Sequence, residues 1–174
     1  MLHFWFEELT EEQHWVKSIT LDEAIAERFG PLRQKVADSA ARGWRETPDT
    51  LLAAVILIDQ FSRNMFRGDA GAFEHDGLAR ELALFAIARG LDEKLPKLRR
   101  VFLYLPLEHA EDRELQAMSV ERFTALGDDH YLGFAQDHAA VIERFGRFPS
   151  RNRALGRRST ELEREFLSQP GAGW

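Results

Sequence analysis

The 174-residue chain contains no cysteine. That excludes a disulfide framework, a thiolate nucleophile and any cysteine-based zinc site. Lysine is nearly as scarce, since 19 of the 23 basic residues are arginine. Long hydrophobic runs are missing too. The longest, Leu51 to Ile58, falls far short of the roughly 20 residues that span a bilayer. The opening MLHFWFEEL has no basic n-region and no small-residue cleavage site, so it does not read as a signal peptide. These absences lead to an expected cytoplasmic protein with no membrane partner. A net charge of −6 lacks the electropositive balance of a generic nucleic-acid binder, and no reader motif is present, so no nucleic-acid partner is expected. Walker and GxGxxG patterns are also missing, and no cofactor is assigned.

Period-2 alternation is absent, and glycine and proline fall at spacings that mark helix ends. The reading is an all-α domain over residues 1–174, built of antiparallel helix pairs with short connections. His3 to Leu9 forms a short amphipathic segment anchored by Phe4, Trp5 and Leu9. A capping box at Thr20 and Glu23 opens a helix towards Arg42 and Gly43, and Gly30-Pro31 should bend or split it near Phe29. Thr47-Pro48 starts the central helix, apolar nearly all round until Ile58 and ending at Gly68. Further helices are expected from Phe73 to Arg89, from Pro96 to Tyr104 with Pro106 closing it, from Asp112 to Leu126, from His130 to Phe145, and from a second capping box at Thr160 and Glu163 to Leu167. The tail QPGAGW folds back only if Trp174 is buried.

What the chain does have is arginine, 11 of the 19 after position 98. Six of them (Arg144, Arg147, Arg151, Arg153, Arg157 and Arg158) crowd the stretch Ile142 to Thr160, among Phe145, Phe148, Leu155 and Asn152. Apolar members of such a run must be pinned to a core while the guanidiniums point at something. Arginine suits planar, bidentate pairing with carboxylate or phosphate, although arginine-favouring codon usage accounts for the excess equally well. The hydroxyls of Ser159 and Thr160, with the first amides of the last helix, offer a seat for an anion. The competing expectation is that these arginines pair with Glu108, Glu111, Asp59 and Asp76, stapling the loop to the helices.

Asp59, Arg63 and Arg67 share one stripe at i, i+4 and i+8, flanked by Gln60 and Asn64. They read either as an Asp59–Arg63 pair fixing helix register or as a face binding an anionic ligand. In the run EHAED, Glu108 to Asp112, the carboxylates beside His109 suit general acid–base chemistry, while the same acids also suit a helix amino terminus. Those residues hold metal-type donors, but no HExxH accompanies them and Glu11 to His14 gives a single ExxH, so no metal is assigned. Tyr104 is expected as a pocket wall or core residue, and His138 as a core histidine.

The segments FWFEE at 4–8, DQFSRN at 59–64, Arg67-Gly68, Phe73 and Asp76, FLYLPLEHAED at 102–112 and IERFGRFPSRNRALGRRSTELEREFL at 142–167 together resemble the bacterial domain-of-unknown-function family 924 over essentially the whole chain. Ser150 stands where that pattern commonly has histidine, and Val16 where an aromatic is common. The resemblance implies a tetratricopeptide-like helical fold and transfers no catalytic residue.

Three functions stay open. The first is a helical binding module whose pocket holds an anionic small molecule or a peptide end, lined by Asp59, Gln60, Arg63, Asn64, Arg67, Tyr104, Arg144, Arg147, Arg151, Asn152, Arg157, Ser159 and Thr160. The second is a hydrolase or lyase acting on an anionic metabolite, with Glu108 or His109 as general base. The third is a buried charge network that serves the fold alone. The oligomeric state is not legible.

Overall fold

The computed structural model describes residues 1–172, so the expectation about Trp174 lies outside the described residues. Eight α-helices carry the fold, and no strand occurs among the described residues. They are α1 (Ile19–Asp38), α2 (Pro48–Ile58), α3 (Gln60–Met65), α4 (Asp76–Ala88), α5 (Lys97–Glu108), α6 (Arg113–Leu126), α7 (Asp129–Phe145) and α8 (Glu161–Leu167). The chain divides into two compact units: Met1–Arg67 with Gly71–Leu103, and Gly68–Ala70 with Tyr104 onward. The division falls inside α5.

In the first unit α2 is the organising element. Thr47 and Thr50 form its capping box and Pro48 sits in its first turn, pre-set for helix by its fixed φ. All residues from Leu51 to Ile58 are buried, and α1, α3 and α4 pack on this helix. No solvent face remains, which is why its sequence shows no polar stripe. A second apolar centre forms around Phe102, where Trp5, Phe6 and His14 meet its ring edge-on and Trp15 lies parallel to it at 5.5 Å.

The second unit pairs α6 with α7 across the short Gly127-Asp128 connection. Both helices end on left-handed glycines, Gly127 at φ 66° and Gly146 at φ 70°, the backbone state that closes a helix with least strain in glycine. Val141, Ile142 and Phe148 form one apolar cluster in it, with Phe145 and Phe166 packed against them.

Four local expectations need correction. The cap of α1 is Ser18, whose hydroxyl accepts from the Leu21 amide at 3.3 Å, so Thr20 lies inside the first turn and Glu23 just beyond it. Pro31 sits within an unbroken α1. A proline ring crowds the Cβ of the preceding residue, and Gly30 has none. Pro106 likewise lies inside α5, where complete burial of Val101 to Leu107 outweighs the one backbone bond it removes. The helix expected to run from Thr47 to Gly68 is instead two, parted at Asp59.

Beyond α1 the backbone turns through Ala40 at φ 47° and Ala41 at φ 55°, both left-handed without being glycine. Ala40 is exposed. Ala40→Gly is therefore expected to stabilise the fold by about 0.5–1 kcal/mol, the left-handed penalty less the greater freedom of glycine in the unfolded chain. Scanning calorimetry should show a melting temperature higher by about 1–4 °C.

Candidate functional site

The arginine-rich stretch begins where α7 stops at Gly146. It turns through the short 3-10 segment Pro149–Arg151 and ends at α8. Of the apolar members expected to be pinned, Phe148 is buried and Phe145 half-buried, but Leu155 is exposed; Pro149 is buried beside Phe148. Among the six guanidiniums, Arg147 and Arg157 are paired with carboxylates, and neither carboxylate belongs to Asp59, Asp76 or Glu108.

Arg147 forks onto Glu163, Nε donating to Oε1 at 2.6 Å and Nη2 to Oε2 at 2.9 Å. The same carboxylate accepts the Thr160 amide at 2.7 Å and Asn152 Nδ2 at 3.3 Å. The capping box is complete, because the Glu163 amide donates to Thr160 Oγ1 at 3.2 Å. Ser159 Oγ accepts from Asn152 Nδ2 at 3.1 Å. Of the groups expected to seat an anion, the Thr160 amide is thus taken by the Glu163 carboxylate, the Thr160 hydroxyl by the Glu163 amide and the Ser159 hydroxyl by Asn152. Glu163 is only 2% exposed, and its carboxyl is lowered from 4.5 to about 2, first by the Arg147 hydrogen bonds and then by the Thr160 amide, against the opposing effect of burial.

Arg157 forks onto Glu111 in the same way, with Nη1 to Oε2 at 2.6 Å and Nη2 to Oε1 at 2.9 Å. Its Nε donates to Asn152 Oδ1 at 2.9 Å. Burial pushes the Glu111 carboxyl up, but Arg157 and the Phe148 amide, which donates at 2.8 Å, outweigh it and hold the pKa below the ordinary value. Arg151 lies over the Phe148 ring at 4.5 Å and donates to the His109 carbonyl at 2.9 Å.

Arg144 behaves differently. It is exposed and has no carboxylate partner among the described residues. Its guanidinium lies 4.7 Å over the Phe145 ring and 5.9 Å from that of Phe166. A cleft of about 420 Å³ opens beside it, lined by Arg144, Phe145, Arg147, Thr160, Leu162 and Glu163. Leu162 is 61% exposed.

Elsewhere in this unit, continuation of α5 past Pro106 puts Tyr104 and Glu108 one turn apart on the same helix, both buried. Glu108 Oε1 lies 3.3 Å from His138 Nδ1, which also contacts the Phe134 carbonyl at 2.8 Å. His138 thus has a buried carboxylate beside it. Its spacing with Tyr131, Ala135, Val141 and Ile142 on the buried face of α7 was the available signal. The ring of His109 lies 6.2 Å from that of His138. Asp112 caps α6, accepting the Leu115 amide at 3.0 Å. Among the described residues no group of three or more histidines or acids assembles as metal ligands would.

Asp59, Gln60, Arg63, Asn64 and Arg67 belong to the first unit. Arg63 Nη1 lies 3.0 Å from Asp59 Oδ1, and the guanidinium forks onto Asp76 at 3.0 and 3.1 Å. Burial works against the Arg63 charge, but Asp59 and Asp76 outweigh it and raise its pKa. Gln60 Nε2 donates to Asp59 Oδ2. Arg67 forks onto Asp22 at 2.7 and 2.8 Å, and Asn64 Nδ2 joins it at 2.8 Å. Their donors overcome the effect of burial on Asp22 and lower its pKa. Arg33, buried and not anticipated, donates to Ser62 Oγ at 3.0 Å and stacks 5.0 Å from Phe66.

Residues 1–171 match the family described as bacterial protein of unknown function (DUF924). A solved structure of a protein of unknown function from Agrobacterium tumefaciens is 38% identical, with a TM-score of 0.90 over 94% of this chain and 93% of that one. No curated protein matches the sequence. No helix among the described residues is long and apolar enough to cross a membrane.

Proposed function

The chain belongs to the DUF924 family of bacterial proteins of unknown function, and from that premise we propose that it is a cytoplasmic helical binding module whose second unit takes an anionic ligand at the Arg144 cleft. The observation that carries this reading is Arg144. Its guanidinium rests on two aromatic rings at the edge of a cleft of about 420 Å³ with no carboxylate of its own among the described residues. Stacking on rings leaves the edge donors of a guanidinium directed outward, where a carboxylate or phosphate oxygen can accept them. A tetratricopeptide-like arrangement of antiparallel helix pairs is the architectural frame of this reading, with α6 and α7 as one such pair.

The other arginines support a second role. Arg63, Arg67, Arg147 and Arg157 each fork onto an internal carboxylate, which favours reading them as fold-specifying pairs. A hydrolase or lyase based on Glu108 and His109 has less support, because the Glu108 carboxylate is buried beside His138.

A thermal-shift screen with anions separates the two roles. A ligand at about 100 times its dissociation constant adds roughly 2.7 kcal/mol, a shift of several degrees at this size. Arg144→Ala is expected to abolish that shift while leaving the ligand-free melting temperature within about 1–2 °C of the parent, since exposed positions tolerate substitution. A shift that survives in Arg144→Ala would sink the assignment.

A further inference from the structure

The charge count at the cleft narrows the ligand class, on the premise that the Arg144 cleft is the binding site. Arg147 already forks onto Glu163, whose pKa near 2 keeps it ionised at any ordinary pH. That pair cancels, so the lining residues present one net positive charge, on Arg144. With Arg147 already answered by Glu163, only Arg144 is left to pair with the ligand, and a second negative charge would meet the Glu163 carboxylate nearby without a cation of its own. The remaining lining is Thr160, whose hydroxyl accepts from the Glu163 amide, and two apolar side chains: Phe145 is half-buried and Leu162 is largely exposed on the first turn of α8. A lone exposed leucine means little. Beside a ring-mounted guanidinium on a cleft wall, it offers a surface for a ligand's body.

We infer that the cleft takes a monocarboxylate attached to an apolar body, the carboxylate accepting from Arg144 and the body lying on Phe145 and Leu162. A phosphate dianion fits this charge count poorly. Two sources share the favoured chemistry: the C-terminal end of a peptide with an apolar last residue, and a free alkyl or aryl carboxylic acid.

Isothermal titration calorimetry on the full chain tests this with four probes: an acetylated tripeptide ending in leucine, its C-terminal amide, hexanoate and inorganic phosphate. A carboxylate probe should bind, with the amide at least roughly tenfold weaker, as expected for loss of a charge-assisted pair. Arg144→Met, which keeps the apolar stem, should weaken the carboxylates by a similar factor. Leu162→Ser should weaken them several-fold. Tripeptide binding without hexanoate binding identifies a peptide end as the source, and the reverse identifies a free acid. Phosphate binding that depends on Arg144, with no carboxylate binding, overturns the monocarboxylate inference while leaving the cleft as an anion site. Binding of none of the probes, or carboxylate binding unaffected by Arg144→Met, overturns both.

Discussion

Glu163→Ala is expected to lower the melting temperature by about 6–12 °C. The substitution leaves Arg147, Asn152 Nδ2 and the Thr160 amide without the carboxylate that now accepts from all three. Removing one member of a buried pair costs about 3–5 kcal/mol, and the lower end applies here because the Arg147 side chain keeps 30% of its exposure. The effect should depend on pH. A carboxylate whose pKa falls from 4.5 to about 2 on folding contributes its full stabilisation above about pH 5. That contribution fades as the pH drops through 4.5 and is gone once it passes the folded value near 2. By linkage it amounts to about 3 kcal/mol, in line with the mutational figure. Denaturant titrations at several pH values should show parent and variant far apart at pH 7 and converging towards pH 2. A constant gap across that range would mean that Glu163 acts through packing rather than charge.

Phe102→Ala should cost more, about 4 kcal/mol, or a fall of about 8–16 °C. Phe102 is fully buried, and four rings contact it: Trp5, Phe6, His14 and Trp15. Ring pairs of this kind add to the area term beyond simple burial. Trp15 is 43% exposed and lies nearly parallel to Phe102, at 8°. Loss of that platform should redden and broaden tryptophan emission even well below the transition. Phe102→Leu keeps most of the volume and should cost less than half as much. A Phe102→Ala protein that melts within 3 °C of the parent would show that the surrounding rings close the gap.

The helices and their ends were largely legible because their causes are local. Thr47-Pro48, the Thr160–Glu163 box, and Gly127 and Gly146 each act within one turn, and each element ends where those residues place it. The two prolines expected to break helices do not, because burial and a neighbouring glycine are matters of context rather than of the proline. Partner choice was harder. Asp59 and Arg63 are one turn apart, so spacing offers that pair beside a ligand-binding face, but Asp22 and Arg67 are 45 residues apart. Nothing in the periodicity joins them. Among six crowded arginines Arg144, Arg153 and Arg158 have no carboxylate partner among the described residues, and the rings of Phe145 and Phe166 under its guanidinium set Arg144 apart from the other two.

Phe148 carries one further consequence. Its amide donates to Glu111 Oε1 at 2.8 Å, and its carbonyl accepts from Arg157 Nη2 at 3.1 Å. A residue's two peptide groups are thus both answered by one ion pair, as an adjacent strand would answer them in a sheet. The rung is made by side chains reaching from α6's approach and from the far end of the loop, so its strength follows the ionisation of Glu111 rather than any ladder. With that carboxyl held below its ordinary value, the loop stays latched at neutral pH. Acid strong enough to protonate Glu111 weakens its hold on the Phe148 amide and on Arg157, a chemical catch added to the burial of the Phe148 ring.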